Sequence, residues 1–188
     1  TYDLDKNKEQ IAMPQRMRTV KVGKIEDRIA LINYYIQEGK QDAQIRRLAS
    51  AILNQRCGDQ WCIPEKDWKS EVEAIFNWVR NNVRYTLDPN ELELFQRARR
   101  SIENGTADCD DQVILAGAIL QAVGYPLRLV VVDTGRGGYS HIYLHVGLPP
   151  VNPKRWMPFD LTATTEPLGW EVPGYQVTKK RIFQVEGE

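Results

Sequence analysis

The chain has 188 residues, 42% hydrophobic and 27% charged, which suits one globular domain with a sizeable core. Its 25 basic residues cancel 25 acidic ones without forming a stripe of either sign, so the sequence gives no support for a nucleic-acid grip. The longest apolar runs, Val113 to Leu120 and Leu129 to Val132, are too short to span a bilayer, and three cysteines are too few for a disulfide scaffold. No secretory signal opens the chain, although a start at Thr1 leaves a removed signal open. A soluble, cytoplasmic protein is expected ahead of a secreted one.

Residues 1 to 23 read as a polar arm or a short strand (Met17 to Val22), and residues 24 to 188 as a single domain. Lys24 to Gln37 carries Ile25, Ile29, Leu31, Ile32 and Ile36 at helical spacing, with Gly39 as the expected stop. Asp42 is placed to start a second helix bearing Ile45, Leu48, Ala49, Ile52 and Leu53. The loop Gln55 to Pro64 holds Cys57 and Cys62, a spacing open to three readings: unlinked thiols, a local disulfide, or half of a metal site. Trp68 to Val83 is an amphipathic helix with Val72, Ile75, Phe76, Val79 and Val83 on one face. Tyr85 to Pro89 leaves it, and Glu91 to Ile102 resumes a helical pattern that Asn104-Gly105 breaks. Arg97, Arg99 and Arg100 read as a solvated helix face.

Gly105 to Gly124, GTADCDDQVILAGAILQAVG, is the stretch around which the rest is organised. Asp108 can cap a helix with Asp111 in the return position of a capping box, and Gly124 ends it. Apolar residues cover nearly every face from Val113 to Val123, so this helix belongs at the centre of the domain. Cys109 then sits in its first turn, where backbone N–H groups and the helix dipole favour a thiolate. Asp110 and Asp111 oppose ionisation unless they serve the cap or point away from sulfur. Packing as a small buried hydrophobe is the competing role for Cys109.

Downstream the period changes from helix to strand. Leu127 to Val132, Tyr139 to Val146, Arg155 to Leu161 and Gln176 to Val185 are the expected strands, with Pro158 marking an edge or a bulge. Helices first and strands later predict an α+β domain with segregated layers. His141 and His145 are both on the second strand, where positions four apart lie about 13 Å from each other and cannot share a metal. Pairing Tyr139–Val146 antiparallel with 154–161 puts His141 opposite about residue 159, within one position of Asp160. A carboxylate there can fix the imidazole's tautomer; Asp133 is the alternative acid, or else a turn residue.

Cys109, His141 and Asp160 in that order form a thiol, a base and an orienting acid, the arrangement for covalent acyl transfer. Here the chain resembles the transglutaminase-like core domain. The resemblance rests on Cys109 with its apolar run, Gly124-Tyr125-Pro126-Leu127-Arg128, then His141 and Trp156-Met157-Pro158-Phe159-Asp160. Upstream, Trp78-Val79-Arg80 and Val83-Arg84-Tyr85 are similar to the segments before that family's cysteine. The resemblance implies a papain-like α+β fold with the cysteine helix on an antiparallel sheet. It also implies Cys109 as nucleophile, His141 as base and Asp160 as orienting acid, with no cofactor or metal. Tyr85 and Gln55 are the candidates for a side-chain oxyanion donor. The substrate expected is a protein or peptide amide, hydrolysed or passed to an amine, with hydrolysis favoured in so small a chain. A binding or structural module on the same fold, virion-associated as in similar compact microbial and phage proteins, is the alternative.

Overall fold

The computed structural model describes residues 24–86 and 95–186. The expected 1–23 arm, its Met17 to Val22 strand, and residues 87–94 of the YTLDP turn and following helix lie outside that range. Among the described residues, five α-helices precede the main sheet: α1 (Ile25–Gln41), α2 (Ala43–Leu53), α3 (Trp68–Asn82), α4 (Ala98–Asn104) and α5 (Cys109–Ala122). Between α2 and α3, β1 (Arg56–Cys57) and β2 (Gln60–Trp61) form a small exposed hairpin. β3 (Arg84–Tyr85) and β4 (Thr106–Ala107) pair in parallel just before α5. The main sheet holds β5 (Leu127–Asp133), β6 (His141–Leu148), β7 (Arg155–Phe159) and β8 (Lys179–Gln184), in the order β7-β6-β5-β8 with every pair antiparallel. This is the α+β arrangement expected, and Pro158 lies on an edge strand.

Helix α5 is buried along its whole length from Asp110 to Gln121, as its all-round apolar sequence requires. Helices α1 to α4 contact it, and β6 closes the remaining side. Leu127, Leu129 and Val131 of β5, with Ile142, Leu144 and Val146 of β6, join α5 in one core. Alternation puts Val130, Val132 and Tyr143 on the opposite face, where Val177 packs on them.

Three expectations about the chain path are corrected. Gly39 does not stop α1, which runs on to Gln41. It is buried at the crossing with α5, where an added Cβ would stand 2.7 Å from Ala118 Cβ and 3.0 Å from Ala98 Cβ. A glycine required by close packing thus resembled a helix terminator. Gly39→Ala is therefore expected to destabilise the fold by about 1–3 kcal/mol in chemical denaturation, although alanine is the better helix former. Second, α4 begins at Ala98, and residues 95–97 are not helical. Third, β6 starts and ends two residues later than expected, so Leu144 pairs Phe159 and His145 pairs Pro158. Continuing that ladder puts Thr162, not residue 159, opposite His141, and Asp160 opposite Tyr143.

Of the three readings for the cysteine loop, the disulfide holds: Cys57 and Cys62 are bonded across the β1–β2 hairpin. Neither is then available as a metal ligand, and among the described residues no cluster of His, Cys, Asp and Glu could hold a metal ion. No helix among them is long and apolar enough to cross a membrane. Arg97, just before α4, pairs with Glu38, and Arg99 and Arg100 on α4 pair with Glu103; all three are exposed, as a solvated face would be.

Candidate active site

Asp108 caps α5: its side chain accepts from the backbone N–H of Asp111 at 2.8 Å. Cys109, the one free cysteine, follows in the first turn and is half-buried. The two acids after it are each engaged by a distant segment. Asp111 is fully buried and accepts from the backbone N–H and the side-chain amide of Gln96, both at 2.7 Å. Asp110 is gripped in bidentate fashion by Arg28 of α1, at 2.9 Å from Nε and 2.8 Å from the terminal nitrogen. Its Oδ1 remains 3.8 Å from Cys109 Sγ, so this acid does not point away from sulfur. Burial, then Asp110 and Asp108, push the Cys109 thiol up, while Arg28 and the Asp110 backbone N–H pull it down. Burial and the adjacent carboxylates thus oppose the helix dipole, which favours the thiolate.

On the sheet, His141 Nε2 lies 2.7 Å from Asp160 Oδ2, with the carboxylate almost fully buried. Asp160 Oδ1 accepts from the backbone N–H and hydroxyl of Thr162, at 3.0 and 2.7 Å. Burial pushes Asp160 up, but the bonds from His141 and Thr162 outweigh it and hold the carboxyl below its ordinary value. The stability this depression brings is present above the ordinary carboxylate pKa of about 4 and is lost as pH falls through the lower folded value. With Nε2 directed at Asp160, Nδ1 is the ring nitrogen left for another partner. The three-residue shift in register does not part the two groups, because Asp160 and His141 are diagonal neighbours across the ladder.

A small cavity of about 10 Å³ between α5 and the sheet is lined by Cys109, Gln112, Ile142, Tyr143 and Thr162 among others. Thr162, which lines this cavity with Cys109, bonds Asp160 at 2.7 Å and lies 3.5 Å from His141 Nε2. Tyr85, paired with Ala107 two residues before the cysteine, is half-buried. Burial first, then the negative charges of ionised Cys109, Asp108, Asp160 and Asp110, push its phenol up to about 12. Gln55 instead borders a separate groove of about 310 Å³ with Ile52, Cys62, Ile63, Ala74 and Trp78. Asp133 proves to be a turn acid that accepts from the backbone N–H groups of Gly135 and Arg136. His145 has its own carboxylate, Glu171, at 2.9 Å.

Arg28, Gln96 and Glu171 were not found by sequence reasoning, because each acts on a partner far along the chain. One signal was available: three acids flank Cys109 with no basic residue from Gly105 to Gly124. Buried carboxylates in that state require donors from elsewhere.

Comparison with curated protein sequences finds no match. Among solved structures, a protein from Cytophaga hutchinsonii provisionally assigned as a cysteine protease is similar at 18% identity and a TM-score of 0.50. It matches over 90% of this chain and 55% of its own length. A protein from Parabacteroides distasonis, provisionally assigned as a protease, is similar at 10% identity and a TM-score of 0.53. That match covers 86% of this chain and 30% of the other. At these identities the likeness is one of fold, and the chain spans only part of either relative. The model of the transglutaminase-like superfamily matches residues 62–161, which include Cys109, His141 and Asp160 and make up just over half of the sequence. The chain belongs to the transglutaminase-like superfamily.

Proposed function

We propose that this protein is a cysteine-dependent acyl-transfer enzyme acting on amide bonds, with Cys109 as nucleophile, His141 as base and Asp160 as the acid that orients it. The observation that carries the reading is the 2.7 Å His141–Asp160 pair beside the cavity that Cys109 lines. Sγ attacks the amide carbonyl carbon as its proton passes to His141 Nδ1. The backbone N–H of Cys109 and the Tyr85 hydroxyl, which stays protonated at neutral pH, are donors for the oxyanion. Collapse breaks the C–N bond, the imidazolium returns its proton to the leaving amine, and a thioester remains. Water activated by His141 then releases an acid, or an amine takes the acyl group. The protease-type names of the similar structures agree with hydrolysis of a peptide substrate.

A non-catalytic binding module is the second reading, favoured by the raised thiol and the narrow cavity. Incubating the purified protein with a chloroacetamide probe and mapping the adduct separates the two. Labelling of Cys109 faster than in the unfolded chain is expected, together with cleavage in a fluorogenic peptide library. Cys109→Ala should abolish that cleavage, and Tyr85→Phe should slow it by about 100-fold, as loss of one oxyanion donor does. Labelling no faster than in the unfolded chain, with no cleavage and no amine incorporation, supports the binding module.

A further inference from the structure

His141, Tyr143 and His145 stand at alternate positions along β6. The Tyr143 ring is stacked on the His141 imidazole, with centroids 5.5 Å apart and planes 24° from parallel. Tyr143 is only 1% exposed, so its hydroxyl needs a partner within the fold. Glu171, on the loop that follows Asp160 and Thr162, supplies it. A single oxygen, Oε1, accepts from the Tyr143 hydroxyl at 2.6 Å, from His145 Nε2 at 2.9 Å and from Lys180 Nζ at 2.6 Å.

We infer that Tyr143 and Glu171 form a positioning pair for His141, in which Glu171 holds the tyrosine ring in its stacked position beside the imidazole while Asp160 holds its Nε2. The inference rests on the proposed role of His141 as the base. Asp160 fixes one atom of the ring and leaves rotation about that contact open. A face-stacked neighbour removes this freedom and keeps Nδ1 in the orientation that the proposed proton transfer from Cys109 needs. Burial alone would raise Glu171, yet its three donors hold it at about 2, so the anchor is anionic throughout the neutral range. The same loop starts at the acid of the site, where Arg80 of α3 binds the Ala163 carbonyl at 2.8 Å, and it is fastened again at Glu171.

The test uses Glu171→Ala, Tyr143→Phe, their double variant and Lys180→Met in the full chain. Two readouts are needed, the rate of Cys109 alkylation at pH 7 and the ring resonances of His141 in ¹⁵N-histidine-labelled protein. Glu171→Ala and Tyr143→Phe should each slow alkylation about tenfold or more, and the double variant no further, because the two act as one unit. Lys180→Met leaves Tyr143 and Glu171 joined and should stay within about twofold of wild type. In the slowed variants the Nε2–H signal of His141 should shift and broaden. Glu171→Gln retains an acceptor for Tyr143, so it should restore both readouts and replace the alanine variant if that fails to fold. Unchanged His141 resonances and an unchanged rate in folded Glu171→Ala would overturn the inference. If His141→Ala itself leaves alkylation unaltered, the catalytic reading falls, and the resonances alone decide whether the pair positions the ring.

Discussion

Replacing His141 with alanine is expected to slow alkylation of Cys109 at pH 7 by about 10²- to 10⁴-fold and to abolish any amide turnover. The size follows from the state of the thiol. Burial and the Asp110 carboxylate push Cys109 up, so without a neighbouring base the thiolate forms only at alkaline pH, above the ordinary cysteine value of about 8.5. On the proposed mechanism His141 takes the proton as the sulfur attacks, so wild-type reactivity should persist at neutral pH. The variant should therefore show a rate that is negligible near neutrality and climbs with alkali, whereas the wild-type profile is already high at pH 7. Asp160→Asn gives a second reading on the same axis. It keeps the shape of the site but loses the charge that stabilises imidazolium, so its loss should be smaller than that of the His141 variant. A wild-type profile that overlays the alanine variant's would identify Cys109 as an ordinary buried thiol, and the binding module would be the better account.

The parts of the fold that could be read from sequence are those in which local pattern and tertiary burial agree. The apolar stripes of α2 and α3, the all-round apolar α5 and the β-branched strands each state their environment in their own residues. Gly39 could not be read in this way, because its reason is Ala118 on another helix, and local rules know glycine chiefly as a terminator. The β6–β7 register was also out of reach. It depends on where β6 ends, and Gly147, a turn residue by composition, lies inside the strand, where its Cα packs against Pro153 and Pro126. The site divides along the same line. Cys109, His141 and Asp160 stand at motif spacings, whereas Arg28 is 82 residues from the acid it holds and Glu171 is 26 from His145. Nothing local marks such partners. What the sequence does mark is the need for them, in three acids around the cysteine with no basic residue from Gly105 to Gly124.

Arg28→Met is the test of that compensation, with an expected cost of about 3–5 kcal/mol, the usual consequence of stranding one member of a buried ion pair. Side-chain exposure is 15% for Arg28 and 4% for Asp110, so little solvent is available to replace the guanidinium. Two parallel N–H···O bonds at 2.9 and 2.8 Å are lost together. The same change should act on the nucleophile. Arg28 is one of the two groups that pull the Cys109 thiol down, and Asp110, left charged beside the sulfur, would push it further up. Alkylation at neutral pH should therefore slow beyond what lost stability explains. The double variant Arg28→Met/Asp110→Asn removes cation and anion at once. It should recover much of the stability and also label faster than Arg28→Met alone, because the opposing charge has gone. Thermal melts and alkylation rates on the same preparations give both results. If Arg28→Met melts with the wild type and labels at its rate, the pair holds neither the helix start nor the thiol, and the Asp110 charge must be met by something other than α1. If stability falls but labelling follows the folded fraction alone, Arg28 is a structural clamp without electrostatic reach to sulfur.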